Sequence, residues 1–203
     1  MNIRLLLFDL GGVLYDIDHA RTEKALNSAV ASNHSPIIFS LEKADPLFAQ
    51  YDSGQLSTDD FILKLQTTYG MRAEKEEILH AWNAMLIGLY PDSVALASTL
   101  SKQMPIALLS NINECHHQRI ANECSPLFDC FHHVFLSYTL GMKKPDAEIF
   151  HHVMHATGYS ADEILFFDDT PANCSVAQNL GMHSILVDPT SRHWVRTHLS
   201  QFC

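Results

Sequence analysis

Short runs of apolar residues recur along the chain, and each run is bounded by polar residues or glycine. Runs that are apolar at every position suit strands buried on both faces of a parallel sheet. Segments between the later runs repeat apolar residues at helical spacing, as Val94, Ala97 and Leu100 do. Strands that alternate with helices predict an α/β protein with a doubly wound parallel sheet. The predicted strands are residues 3–8, 106–109, 134–136, 164–167 and 185–187.

One long stretch interrupts this alternation. Between residues 16 and 90 no run is typical of a strand, and apolar residues instead repeat at helical spacing. Ser57, followed by acids in the next turn, is expected to cap a helix that ends at Gly70. We predict a helical domain over residues 16–90, inserted into a core made of residues 1–15 and 91–203. The repeats, which we interpret as core packing, are Leu26, Ala29, Val30, Phe61, Leu65, Tyr69, Ile78, Trp82, Met85 and Leu86.

The composition is that of an ordinary globular protein. Of its 203 residues, 47% are apolar, which is enough to bury a sizeable core. The formal net charge of -10 comes from dispersed acids, so nucleic acid is not an expected partner. No apolar run is long enough to cross a bilayer, and Asp9 interrupts the opening run before it could serve as a signal segment. We therefore expect a cytoplasmic protein without a membrane partner, and the sequence does not indicate an oligomeric state.

Polar side chains follow the predicted strands at the points where those strands end. In a doubly wound sheet, ligands bind beyond the carboxyl ends of the strands, so these side chains are expected to converge on one edge. Carboxylates from separate strands can hold Mg²⁺, which prefers oxygen ligands. A lysine and a hydroxyl can position phosphoryl oxygens while one carboxylate attacks phosphorus, so the set predicts phosphoryl transfer. Its members are Asp9, Ser110, Asn111, Ser137, the adjacent lysines Lys143 and Lys144, Asp168 and Asp169.

Four segments carry a resemblance to a known family. FDLGGVL, LLSN, GMKKPDAEIF and FFDDTPAN resemble, in this order, the four motifs of the haloacid dehalogenase superfamily of hydrolases. YDSGQLSTDDF and the tryptophan-bearing helix after it resemble the helical cap that these enzymes insert after the first motif. The chain is also similar to sugar-phosphate phosphatases of the glucose-1-phosphatase type. The resemblance implies a Rossmann-like core and a phosphatase that acts on small phosphorylated metabolites, such as glucose 1-phosphate, through an aspartyl-phosphate.

The resemblance also implies a role for each matching residue. Asp9 would be the nucleophile and a Mg²⁺ ligand, together with the carbonyl oxygen of Gly11 and the carboxylate of Asp169. Ser110 and the amide of Asn111 would bind the phosphoryl group.

The same resemblance assigns supporting roles. Lys144 would balance the charge of the nucleophile and the phosphoryl group, whereas Lys143 is expected to be solvated. Asp168 would support the water shell of the metal, and Asn173 would brace the loop. Cys174 departs from the pattern, because many relatives have another acid at that position.

Gly11 is the main departure from the common form of the family, in which an aspartate two places after the nucleophile protonates the leaving group and later deprotonates water. Glycine can do neither. General acid–base assistance contributes about 10² to 10⁴ in rate, so its loss would slow the reaction without abolishing it. We therefore expect substrates with activated leaving groups, such as anomeric or acyl phosphates.

Other groups near the first motif could fill this gap. Asp16, Asp18 or a metal-held water could supply a proton, although capping of the first cap helix is the simpler interpretation of both acids. Arg21 in that helix could contact a sugar or phosphate oxygen when the cap closes, or could be an ordinary solvated residue.

Two alternative functions remain open at this point. A 2-haloacid dehalogenase would use Asp9 to attack carbon without a metal, but the adjacent acids Asp168 and Asp169 would repel its carboxylate substrate. A non-catalytic binding protein would explain Gly11 as a mark of lost activity, but the other motif residues are retained.

Overall fold

A five-stranded parallel sheet forms the centre of the protein. The computed structural model describes residues 2–39 and 45–191 together with Leu199. The strand order is β5-β4-β1-β6-β7, so the chain builds the sheet outward from β1 in one direction and then in the other. This arrangement confirms the predicted doubly wound α/β class. The strands are β1 (Leu5–Phe8), β4 (Ile106–Ser110), β5 (His133–Leu136), β6 (Ile164–Asp168) and β7 (His183–Leu186), and two short strands, β2 and β3, lie outside this sheet.

Helices cover both faces of the sheet. Leu6 of β1 belongs to an apolar cluster with residues of α5 and α6, whereas its neighbour Leu7 belongs to a cluster with residues of α8 and α9. Because successive side chains of a strand point to opposite faces, the central strand β1 is apolar and buried at all four positions. In chain order the helices are α1 (His19–Asn27), α2 (Pro46–Asp52), α3 (Thr58–Tyr69), α4 (Lys75–Trp82), α5 (Ser93–Ser101), α6 (Glu114–Phe128), α7 (Ser137–Leu140), α8 (Ala147–Thr157) and α9 (Pro171–Asn179).

The helices α1 to α4, which we call the cap, share a separate apolar cluster. Trp82 lies at its centre, fully buried, and stacks on Phe48 with ring centroids 5.4 Å apart. The side chain of Ser57 accepts a hydrogen bond from the backbone N–H of Asp60, and Gly70 follows the helix in the left-handed conformation, as the sequence predicts for α3. The cap aromatic residues therefore serve mainly as core, while the exact domain bounds stay a prediction.

Two short strands connect the cap to the core. Tyr15–Ile17 (β2) pairs antiparallel with Leu86–Leu89 (β3), so the prediction that residues 16–90 contain no strand is wrong. Leu86 belongs to β3 and not to the helical repeat, because α4 gives way to a 3₁₀ turn at Asn83–Met85. Strands this short contain too few positions to show an alternating pattern.

The end of α1 also differs from the prediction. Ala29 and Val30 lie beyond the last residue of α1, Asn27, although both pack against the cap cluster.

Within the described part of the chain, no helix combines the length and the apolar character that a membrane crossing requires.

Candidate active site

The polar residues at the strand ends meet beside β1. Asp9 directly follows β1, Ser110 ends β4 and Asp168 ends β6, and both of these strands are neighbours of β1. The backbone N–H of Asp9 donates to the carbonyl of Phe167 at 2.8 Å, which holds the first residue after β1 beside β6. Because all three strands are parallel, their carboxyl ends lie at one edge of the sheet.

The buried ammonium of Lys144 joins two of the carboxylates. Its Nζ lies 2.9 Å from Oδ1 of Asp9 and 2.7 Å from Oδ2 of Asp168, and the side chain is only 1% exposed. Burial would lower the pKa of Lys144, but the charges of Asp168 and Asp9 outweigh it and raise that pKa. The ammonium therefore stays charged in the interior because two carboxylates surround it.

Asp168 is occupied by interactions within the protein. It is fully buried and accepts hydrogen bonds from Nδ2 of Asn173 at 3.0 and 3.1 Å and from the backbone N–H of Thr170 at 2.8 Å, besides its contact with Lys144. It does not line the cavity described below, whereas Asp169 does. We therefore interpret Asp168 as the group that positions Lys144, which differs from the role in the metal's water shell that the sequence predicts.

The side chains of Asn111 and Ser110 differ in their hydrogen bonds. The side-chain amide of Asn111 donates to the carbonyl of Lys144 at 2.8 Å, and the N–H of Lys144 donates back to Oδ1 of Asn111 at 2.9 Å. The Asn111 side chain thus fixes the loop that carries the lysine. The hydroxyl of Ser110, 3% exposed, forms no side-chain hydrogen bond with the described residues, so it is available for a ligand oxygen.

Three carboxylates form a cluster that suits a divalent cation. Asp9, Asp168 and Asp169 each offer an oxygen within 4.8 Å of the others. Burial, followed by the charges of Asp168 and Asp169, raises the pKa of Asp9 to about 8 although Lys144 opposes the shift, and burial also raises the pKa of Asp169. One ammonium cannot neutralise three carboxylates, and hard oxygen ligands of this kind fit Mg²⁺.

Two glycines after β1 shape this site. Gly12 has φ +70°, and a Cβ atom there would lie 2.1 Å from Oδ2 of Asp169, so only glycine lets the loop approach that carboxylate. A Cβ atom at Gly11 would lie 2.8 Å from Cδ1 of Ile17 in β2. A side chain at Gly11 would therefore first meet the terminal methyl group of Ile17, which would have to shift.

A cavity of about 400 Å³ separates this edge of the sheet from the cap. The core contributes Asp9, Asn111, Lys144 and Asp169 to its lining. Lys143, which is expected to be solvated, also lines the cavity and is half-buried. The opposite wall, formed by the cap and the segments next to it, combines apolar and polar residues: Ile17, His19, Phe39, Phe48, Asp52 and Met85.

Of the other sequence-predicted residues, Gly11 and Asn173 line the cavity, whereas Ser110, Asp16, Asp18 and Arg21 do not. Asp18 caps α1 by accepting a hydrogen bond from the N–H of Ala20 at 3.0 Å, as expected. Asp16 is wrongly predicted as a cap, because it lies in β2 opposite Gly88. The guanidinium of Arg21 is 3.5 Å from Oδ2 of Asp18 and its side chain is 61% exposed, and it is not part of the cavity lining.

Sequence reasoning missed His19 and Asp52 as lining residues. An acid at the end of an amphipathic helix is common, and no local pattern distinguishes Asp52 from a solvated residue. Its place in the cavity depends on how α2 packs on the core, where the hydroxyl of Ser137 donates to the Asp52 carbonyl at 2.5 Å.

Together, these features define a Rossmann-like α/β protein with an inserted cap and an acidic site between the two. Residues 3–181 match the family described as haloacid dehalogenase-like hydrolase, and the chain belongs to that family. The match confirms the resemblance that the four sequence motifs indicate.

Several relatives cover nearly the whole chain. A D-ribitol-5-phosphate phosphatase of Bacteroides thetaiotaomicron is 29% identical over 190 residues, which is 90% of each chain. A sesquiterpene phosphatase of Aspergillus oryzae is 27% identical and covers 87% of this chain and 85% of its own.

A solved structure matches equally well. The magnesium complex of a HAD family enzyme from Bacteroides thetaiotaomicron has a TM-score of 0.86 and 30% identity, and covers 99% of this chain and 100% of its own. The same enzyme with magnesium and inorganic phosphate has a TM-score of 0.79 and 30% identity, and covers 90% of this chain and 93% of its own.

The close approach of Gly12 to Asp169 leads to a prediction about stability. An alanine in the left-handed conformation costs about 1–2 kcal/mol by itself. Replacement of Gly12 by Ala should lower the free energy of unfolding by more than this, because Asp169 must also move. The matched control is Gly158→Ala, where φ is +74° and no heavy atom lies within 4 Å of the added Cβ. Urea unfolding measures both variants, and equal losses would contradict the crowding at Asp169.

Proposed function

We propose that this protein is a Mg²⁺-dependent phosphatase of small phosphorylated metabolites. The observation that carries the proposal is the pairing of Asp9 with a buried Lys144 in the lining of the cavity. Ser110 ends the neighbouring strand β4, and its hydroxyl forms no side-chain hydrogen bond with the described residues. A carboxylate that attacks phosphorus needs such a cation to receive an anionic substrate. Relatives named as phosphatases, and a neighbour crystallised with magnesium and phosphate, support this function.

The chain's own residues account for the reaction. A carboxylate oxygen of Asp9 attacks phosphorus and forms an aspartyl-phosphate, which water then hydrolyses. Lys144 and the Ser110 hydroxyl hold the phosphoryl oxygens, and the side chain of Asn111 keeps the lysine loop in place. Asp9, Asp169 and the carbonyl of Gly11 would hold Mg²⁺, which supplies charge neutralisation on the transferring group.

Sugar phosphates such as glucose 1-phosphate are the substrates that we propose. Gly11 has no side chain to protonate the departing oxygen, and Ile17 occupies the nearby space. Phosphoryl transfer puts much charge on that oxygen, so a hemiacetal oxygen leaves more readily than that of a simple alcohol. The cavity is large enough for a small metabolite.

Dehalogenation is the less favoured alternative. Asp9 lies in a cluster with Asp168 and Asp169, and only one buried ammonium compensates the three charges. A 2-haloacid would add a fourth carboxylate to this cluster unless a metal were bound.

The first test is activity and its dependence on metal. We expect the purified protein to release phosphate from phosphate esters with Mg²⁺ present and to lose this activity in EDTA. Asp9→Asn should lower kcat by more than about 10³-fold, because it removes the nucleophile. Activity on 2-haloacids that survives EDTA would favour the dehalogenase, and inactivity on every ester would favour a binding protein.

A second test concerns the leaving group. In a panel with Mg²⁺, glucose 1-phosphate should have a higher kcat/KM than glycerol phosphate. Its leaving oxygen is less basic and therefore depends less on protonation. Sugar-alcohol and prenyl phosphates complete the panel. A preference for glycerol phosphate would contradict the proposed effect of Gly11.

A further inference from the structure

Asp52 is a carboxylate of the cap that lines the same cavity as Asp9 and Lys144. It is the last residue of α2, and it is the one acid that the described part of the cap contributes to the cavity lining. The other acids in that lining, Asp9 and Asp169, belong to the carboxylate cluster of the core. The leaving group of a substrate bound at Asp9 must extend into this space between core and cap.

Hydrogen bonds to the core fix the orientation of Asp52. Its Oδ1 accepts a hydrogen bond from Nδ2 of Asn113 at 2.9 Å, and its backbone carbonyl accepts one from the hydroxyl of Ser137 at 2.5 Å. Within the part of the chain that the structure describes, Oδ2 accepts no hydrogen bond. One oxygen is thus anchored and the other remains available to a ligand.

Asn113, which holds Asp52, is itself held by hydrogen bonds. Asn113 is fully buried, and its Oδ1 accepts hydrogen bonds from Nε1 of Trp82 at 3.3 Å and from the backbone N–H of His116 at 3.0 Å. These contacts use up the carbonyl oxygen of the Asn113 amide and direct its NH₂ group to Asp52. A group held in this way has the fixed geometry that proton transfer requires.

The electrostatic surroundings keep part of the Asp52 population protonated. Burial raises the pKa of Asp52 to about 6, although the hydrogen bond from Asn113 and the charge of Lys143 oppose the shift. Burial lowers the pKa of His116 to about 4 and also lowers that of His19, so both rings are neutral near pH 7. A carboxyl with such a pKa is roughly one-tenth protonated at pH 7 and can both give and take a proton.

We propose that Asp52 takes over the proton transfer for which Gly11 has no side chain, an inference that rests on the proposed phosphatase function. As Asp9 attacks phosphorus and the ester O–P bond breaks, the protonated carboxyl of Asp52 gives its proton to the departing oxygen, and the alcohol leaves. In the second step the Asp52 carboxylate takes a proton from the attacking water, the acyl phosphate bond breaks, and inorganic phosphate and free Asp9 result.

The other candidates for this role are less suited to it. Asp18 is engaged in capping α1, and Asp16 lies in β2 and does not line the cavity. The ring of His19 packs against that of Phe39, with the ring centroids 5.3 Å apart.

Proton transfer from Asp52 should reduce the difference in rate between substrates with activated leaving groups and substrates with simple ones, but should not remove it. Because most of its population is ionised near neutral pH, anomeric phosphates keep an advantage over alkyl phosphates. Removal of the carboxyl should therefore widen the difference between the two kinds of substrate.

The test compares leaving groups in Asp52→Asn, which keeps the side-chain size and an oxygen for Asn113. We expect kcat on glycerol phosphate to fall by about 10²-fold, whereas kcat on 4-nitrophenyl phosphate, whose leaving group needs no proton, falls less than about threefold. Asp52→Glu, which keeps the carboxyl, should regain part of the activity on glycerol phosphate. Glu76→Gln, an exposed change in α4, is the matched control and should alter neither reaction.

The pH profile gives a second readout. A general acid must be protonated, so kcat of the parent on glycerol phosphate should fall as pH rises through the pKa of Asp52, and this limb should be absent in Asp52→Asn. Equal losses on both substrates, or no loss on either, would overturn the proposal. A parent protein that is inactive on 4-nitrophenyl phosphate would instead overturn the phosphatase function itself, and the role of Asp52 with it.

Discussion

The buried ion pairs of Lys144 are the interaction on which the rest of the site depends. An ammonium in the interior costs several kcal/mol of lost hydration unless carboxylates surround it closely. Asp9 and Asp168 do so from the ends of two neighbouring strands, and Asn173 holds Asp168 in turn. The side chain of Asn111 fixes the backbone of the lysine. The result is a carboxylate and an ammonium whose positions are set before any substrate arrives.

In this account, the cap provides the proton donor that the core lacks at Gly11. In the proposed mechanism the core would supply the nucleophile, the cation and the metal site, whereas Gly11 offers no side chain as a proton donor. The side chain of Ile17, from the connecting strand β2, lies close to the position that a Cβ atom at Gly11 would take. The cap places Asp52 across the cavity, anchored to the core through Asn113. Proton transfer and substrate selection would then both depend on how the cap packs on the core.

The sequence predicts the core more fully than the cap. Strand-end residues such as Asp9 and Ser110 could be placed together because parallel strands align their carboxyl ends, whatever the loops do. The strands β2 and β3 were missed because they are too short to show a period. The place of Asp52 could not be predicted either, since it depends on packing between residues far apart in sequence, such as its contact with Asn113.

The most direct test of the central claim is ¹⁹F NMR of the protein with beryllium fluoride, which mimics a phosphoryl group on a carboxylate. If the pair of Asp9 and Lys144 receives the phosphoryl group beside a metal, a bound fluoride signal should appear with Mg²⁺, vanish in EDTA and be absent from Asp9→Asn. A parent protein that shows no bound signal with Mg²⁺, or a signal that persists in Asp9→Asn, would contradict the account.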